Sequence, residues 1–190
     1  MAFDTSQFKN GLKIVLDGVP FTITYFQHVK PGKGGAFVRT KVKNLKTGRV
    51  LDRTFRSGVK IEEADTVDRK MQYLYPDGDQ FVFMDTKDYE QIPFTREQVG
   101  AAMKYLTENL DVSVLFWNGK PLTIELPSFI EAKVAKCEPG LKGDTASGAT
   151  KPATLEPGAV VQVPLFIKEG EVIRVDTRTG AYVERVNQPQ

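Results

Sequence analysis

Most of the chain reads as strands, and in one stretch the side chains alternate with a period of two. Between Ala36 and Asn44, Phe37, Arg39, Lys41 and Lys43 alternate with Val38, Thr40, Val42 and Asn44. That period matches a strand with one face buried and the other in water. Val19–Val29 is rich in β-branched and aromatic residues and reads as a partner strand. Thr66–Tyr75 and Phe129–Cys137 also read as strands. Turn signals recur at short spacing: Asp17-Gly18, Lys46-Thr47-Gly48, Pro76-Asp77-Gly78, Asn118-Gly119 and Thr179-Gly180. One short helix is expected, where Thr95 and Gln98 form a capping box ahead of Val99, Met103 and Leu106. Short strands with frequent turns and one short helix predict an all-β chain of small barrels or sandwiches.

Two breaks in the pattern suggest three modules. The first lies after Val59-Lys60-Ile61, where the acidic stretch Glu62-Glu63-Ala64-Asp65 begins, and the second near Leu126-Pro127-Ser128. The expected modules are residues 1–64, 65–127 and 128–190. Each is about sixty residues long, small but feasible for a β-barrel. The stretch Leu141–Pro157, rich in Gly, Ala, Ser, Thr and Pro, reads as a long loop inside the third module.

Charge changes this picture more than composition does. The net charge of +2 conceals an uneven distribution. Residues 1–60 carry twelve Lys or Arg against three acids, a net of +9, while residues 61–190 carry fourteen against twenty-one, a net of −7. Ten of those twelve bases fall between Lys30 and Lys60, opposed only by Asp52. A basic third beside an acidic remainder points to a polyanionic partner. No apolar run approaches the length of a membrane span, and the amino-terminal residues lack the basic start and apolar core of a signal peptide. Cys137 is the single cysteine, so no internal disulfide and no cysteine-based zinc site can form. Together these features lead us to expect a cytoplasmic monomer without membrane contact.

The segment Lys30-Pro31-Gly32-Lys33-Gly34-Gly35-Ala36 joins two good strands. Pro31 favours an extended Lys30, and Gly32, Gly34 and Gly35 strip side chains from both sides of Lys33. Lys33 is therefore expected to project alone. A bland hairpin loop carrying a solubilising lysine fits the segment by itself equally well. A Walker-type phosphate loop does not fit, because the spacing fails, no Ser or Thr follows the lysine, and a strand comes next. Covalent catalysis fits poorly. A lysine amine ordinarily titrates near 10.4, so only about one in a few thousand is neutral at pH 7 without burial or a neighbouring cation. Display of a cation to phosphates and 2′-hydroxyls suits a glycine-flanked tip better. Elsewhere, catalytic and metal sites are not expected. His28 is the only histidine, Glu62-Glu63 and Asp77/Asp79 read as boundary and turn residues, and Cys137 reads as a buried small hydrophobe. Leu115, Phe116 and Trp117 read as core and turn packing.

The loop Lys30-Pro31-Gly32-Lys33-Gly34-Gly35-Ala36-Phe37 resembles that of the bacterial translation elongation factor P family. A second motif is more specific. Lys151-x-Ala153, Gly158, Val161-x-Val163-Pro164, Ile167 and Gly170 fit the family signature at every fixed position. The resemblance runs from Phe8 to Val186.

It implies an L-shaped, tRNA-like protein with an SH3-like (KOW-type) first domain followed by two OB-folds. It further implies a cytoplasmic accessory factor, not an enzyme. Such a factor binds the ribosome between the P and E sites and relieves stalling at consecutive prolines, while the ribosome performs the transfer. Under this resemblance Lys33 approaches the CCA end of the P-site peptidyl-tRNA. Many members extend that lysine by β-lysylation or with an aminopentanol group, so Lys33-modifying enzymes are expected partners and no other cofactor is. Lys33 rules out the rhamnosyl-arginine route and leaves both lysine routes open. Arg39, Lys41, Lys43, Arg49, Arg53 and Arg56 would draw RNA backbone. Gly143-Asp144-Thr145 matches the loop that meets the E-site codon of the mRNA, and Tyr182 and Arg185 resemble positions near the small subunit. The alternatives are a plain RNA-binding module and, last, an enzyme.

Overall fold

The computed structural model describes residues 1–140 and 148–186. Those residues fall into two compact units, Met1–Asp68 with Leu115–Thr123 and Arg69–Val114 with Ile124–Gln190.

In the first unit, β1 (Ala2–Asp4) runs into a single 3-10 turn at Thr5–Gln7. There follow β2 (Lys13–Leu16), β3 (Val19–Val29), β4 (Phe37–Asn44), β5 (Val50–Arg56) and β6 (Lys60–Glu63). They form one sheet in the order β1-β6-β2-β3-β4-β5. The alternation seen in the sequence is realised on β4, where Val38, Thr40 and Val42 are buried and Arg39, Lys41 and Lys43 are exposed. The inward set joins Phe8, Leu12, Ile14, Phe21, Ile23 and Ile61 in one core. The sheet curls on itself: the Phe55 ring meets Phe8 edge-on with centroids 5.6 Å apart, and the Gly58 amide donates to Thr5 Oγ1 at 2.8 Å. Glu62 and Glu63 are paired strand residues opposite Val15 and Ile14, so the strand runs on through the acidic residues expected to end it.

The second sheet comprises β7 (Thr66–Asp77), β8 (Gln80–Asp85), β9 (Gln91–Thr95), β10 (Asp111–Trp117) and β11 (Lys120–Glu125) in the order β11-β10-β7-β8-β9. Its centre is aromatic. Phe83 stacks on Phe94 with centroids 4.6 Å apart, and Tyr73 packs on Phe83 at 5.4 Å. Between β9 and β10 lies α1 (Arg96–Val99), started by the expected capping box of Thr95 and Gln98. The helix is shorter than its apolar spacing suggested. Gly100 at φ +58 ends it after one turn, and the chain continues as a 3-10 helix to Tyr105. The change of pitch buries Ala102 and Tyr105 and leaves Met103 only half-buried.

The third sheet holds β12 (Phe129–Cys137), β13 (Thr150–Leu155), β14 (Val160–Pro164), β15 (Val172–Asp176) and β16 (Ala181–Arg185) in the order β14-β13-β12-β15-β16. β13 lies where a long loop was expected. Its Ala, Thr and Pro content disguises an alternation in which Lys151, Ala153 and Leu155 are buried. Ala153, Val161, Val163 and Ile167 of the signature motif all lie in this core, while Gly158 and Gly170 sit at φ +112 and +83. The buried Lys151 donates from Nζ to the Glu138 carbonyl. Tyr105 also belongs to this core, and the neighbouring Lys104 carbonyl accepts from the Ala159 amide at 3.1 Å.

Truncation of Tyr105 to Ala should therefore cost the second unit about 3–5 kcal/mol, the usual penalty for removing a buried aromatic ring. Urea unfolding checks this, and a loss below about 1 kcal/mol would mean that the ring is not an integral part of that core.

Candidate nucleic-acid interface

The bases that crowd between Lys30 and Lys60 fall largely on the β3–β4–β5 sheet, with Asp52 opposite Lys41. β3 and β4 pair from Phe21↔Asn44 out to Val29↔Phe37, with a bulge between Ile23 and Tyr25. Thr24 Oγ1 donates to the Lys41 carbonyl at 3.1 Å at this bulge. A bulge adds twist and shifts the alternation by one residue, so Phe21 and Ile23 face inward before it and Phe26 packs on the core after it.

Beyond Val29, residues 30–35 are all exposed, Lys33 among them. Gly34 is the loop glycine in the left-handed region, at φ +101. A Cβ at Gly32, Gly34 or Gly35 would meet no atom within 4 Å. The loop thus needs a glycine for conformation at one position, while the other two glycines leave the flanks of Lys33 bare.

The β4–β5 register sorts the remaining bases. Residues directly opposite on antiparallel strands share a face. Arg39 faces Thr54, Lys41 faces Asp52, Lys43 faces Val50 and Phe37 faces Arg56. Arg39, Lys41, Lys43 and Arg56 therefore lie on the outer face, where Tyr25 and Gln27 from β3 stand opposite Lys41 and Arg39. Arg39 lies over the Phe37 ring at 5.5 Å, and Tyr25 is 48% exposed. Arg53 is opposite the buried Thr40, on the other face, and is bonded to Asp17 at 3.0 Å. Arg49 is exposed just before β5. Sequence reasoning passed over Tyr25, because it continues the inward alternation of Phe21 and Ile23 and only the bulge turns it outward.

The remaining expected positions divide. Gly143, Asp144 and Thr145 lie outside the described residues. Tyr182 packs against the third core, opposite Val175. Arg185 bonds Glu171 at 3.2 Å and lies over the exposed Phe166 ring at 5.7 Å. His28 is exposed, edge-on to Phe26 at 5.8 Å. Cys137 is half-buried, its thiol 3.6 Å from the Ile167 carbonyl. Leu115 and Phe116 are buried, and Lys46 lies over the half-buried Trp117 ring at 5.2 Å. Among the described residues, no three His, Cys, Asp or Glu side chains gather as a metal site, and no helix is long and apolar enough to cross a membrane.

A basic antiparallel sheet followed by two further antiparallel sheets defines an all-β protein of several small modules. The solved structure of eukaryotic translation initiation factor 5A from Methanococcus jannaschii superposes with a TM-score of 0.53, covering 64% of this chain and 90% of that one at 24% identity, a likeness of fold. Models of the elongation factor P KOW-like domain, OB domain and C-terminal domain match residues 4–61, 66–124 and 130–185. Elongation factor P of Moorella thermoacetica is 56% identical over 95% of this chain and 98% of its own length. That of Wolinella succinogenes is 50% identical over 98% and 100%. The chain belongs to the elongation factor P family and is a translation elongation factor.

Gly34→Ala should destabilise by about 1 kcal/mol, because a Cβ is strained at that φ, whereas Gly35→Ala should stay within about 0.5 kcal/mol. Thermal melting of the two variants checks the difference, and equal melting temperatures would contradict it.

Proposed function

We propose that this factor binds the ribosome between the P and E sites and presents Lys33 to the CCA end of the peptidyl-tRNA. It thereby promotes peptide-bond formation at consecutive prolines. The observation that carries the reading is the pairing of an exposed lysine, bare on both flanks, with a sheet face holding Arg39, Lys41, Lys43 and Arg56. Family membership supplies the ribosome as partner.

The chemistry follows from positioning. Prolyl substrates transfer slowly, and ordering two reactants recovers about 7–11 kcal/mol in the best intramolecular cases. The factor needs no reactive group of its own for this, since the ribosome performs the transfer and Lys33 orders the acceptor end. A tip lysine extended by β-lysylation or by an aminopentanol group would reach further along the same line. The outer-face cations hold RNA backbone without reading sequence. Arg53, committed to Asp17, contributes less directly, and Arg49 adds charge at the edge. Gly143, Asp144 and Thr145 are assigned to the E-site codon. Tyr182 and Arg185 are assigned to the small subunit, Tyr182 being partly buried against the core of its sheet. Domain limits at 64/65 and 127/128 belong to the same reading.

Lys33→Ala should leave the melting temperature unchanged and ribosome binding within a few-fold, yet abolish relief in a proline-run reporter; full relief by that variant would sink the proposal. Replacing Arg39, Lys41 and Lys43 together by Ala should reduce the slope of log binding constant against log salt by about 2–3, one backbone contact each. An unchanged slope would remove this face from the RNA interface. Intact-mass spectrometry of protein from its native cell reads the modification of Lys33 directly.

A further inference from the structure

The inward face of β13 carries Lys151, Ala153 and Leu155. Alanine and leucine suit a barrel core. A lysine does not, yet Lys151 is only 7% exposed. Taking an ammonium out of water is costly unless it is bonded, and an apolar side chain of similar length fills such a place at less cost. Packing alone therefore does not explain a lysine at this position.

The bond it makes does. Nζ donates to the Glu138 carbonyl, which among the described residues is the one acceptor it has. Glu138 follows directly on Cys137, where β12 ends, and Lys151 is the second residue of β13, which begins at Thr150. Lys151 is itself fixed by the β13–β14 ladder, where it stands opposite Val163. One residue of the returning strand thus holds the departing backbone, and the bond closes the base of the segment between them. Three further contacts act on the same departing backbone. The Cys137 amide donates to Glu169 Oε1 at 3.1 Å, and the Cys137 thiol lies 3.6 Å from the Ile167 carbonyl. At Gly140 a Cβ would come within 2.8 Å of the Leu165 carbonyl oxygen, so the chain passes there at a distance open only to glycine.

We propose that Lys151 is a positioning residue for the E-site codon contact. Its ammonium fixes the point from which the chain leaves β12, and the segment that follows in sequence carries Gly143, Asp144 and Thr145. Tying the two ends of a segment together removes conformations that it would otherwise lose on binding. The buried charge serves placement rather than stability. This inference rests on the codon reading above and adds to it a buried residue that acts through the backbone it holds.

The test saturates purified ribosomes with parent, Lys151→Met or Gly140→Ala protein. The ribosomes hold peptidyl-tRNA and an mRNA with thiouridine in the E-site codon, and irradiation reads the yield of cross-links from codon to factor. Lys151→Met keeps the length of the side chain and loses its charge, so it should melt no lower than the parent. Its codon cross-link should nevertheless fall about tenfold at saturating factor, the order of loss that a small misplacement brings. Gly140→Ala moves the same backbone with Lys151 in place and should lower the yield as well. A parental yield from Lys151→Met would overturn the inference. If Lys151→Met does not fold, Gly140→Ala decides: a lowered yield upholds the fixed base and a parental yield overturns it. If the parent itself gives no codon cross-link, the codon reading falls and takes this one with it; if the parent cross-links and Lys151→Met matches it, this one alone falls.

Discussion

The antiparallel pairing of β3 with β4 is the constraint on which the first unit depends. Its period of two sends Val38, Thr40 and Val42 into the core and Arg39, Lys41 and Lys43 into water along one strand. A register slip by a single residue would exchange those sets, burying cations and exposing valines. The pairing that secures the core therefore also gathers the charge. It also fixes where the strands stop, at Val29 and Phe37, and so where the glycine-rich loop begins.

The second unit answers to a different constraint. Its two sheets are tied by a tyrosine at the end of a 3-10 helix, whose ring lies in the core of the third sheet. The family signature in that sheet proves to be a packing motif. Its apolar members fill the core, and its lysine is turned inward onto the Glu138 carbonyl. The residues that make the family recognisable there are thus the ones that hold the barrel, while the proposed chemistry rests on the exposed loop of the first unit.

The long strands were legible from residue content and turn signals even though bulges interrupt their period: Val19–Val29 and Phe129–Cys137 begin and end where the sequence reading placed them. The helix was legible only at its start. Thr95 and Gln98 act locally, whereas the stop at Gly100 and the burial of Tyr105 depend on contacts distant in sequence. β13 was hidden because small residues and proline mimic a loop when the partner strands are unknown. At the site, the loop and the bases of β4 could be read directly. The separation of Arg53 from the other bases could not, since it follows from the β4–β5 register.

What unites the site is display: an exposed lysine between glycines, beside a sheet face of Arg39, Lys41, Lys43 and Arg56 that we propose attracts RNA backbone. The most direct measurement is the rate of Pro–Pro bond formation on purified ribosomes carrying a prolyl peptidyl-tRNA, followed by rapid quench as the factor is titrated. The account predicts acceleration that saturates with factor concentration and disappears when Lys33 is replaced by Ala, even at concentrations that fill the ribosome. Equal acceleration by that variant, or none by the parent with its native modification, would contradict it.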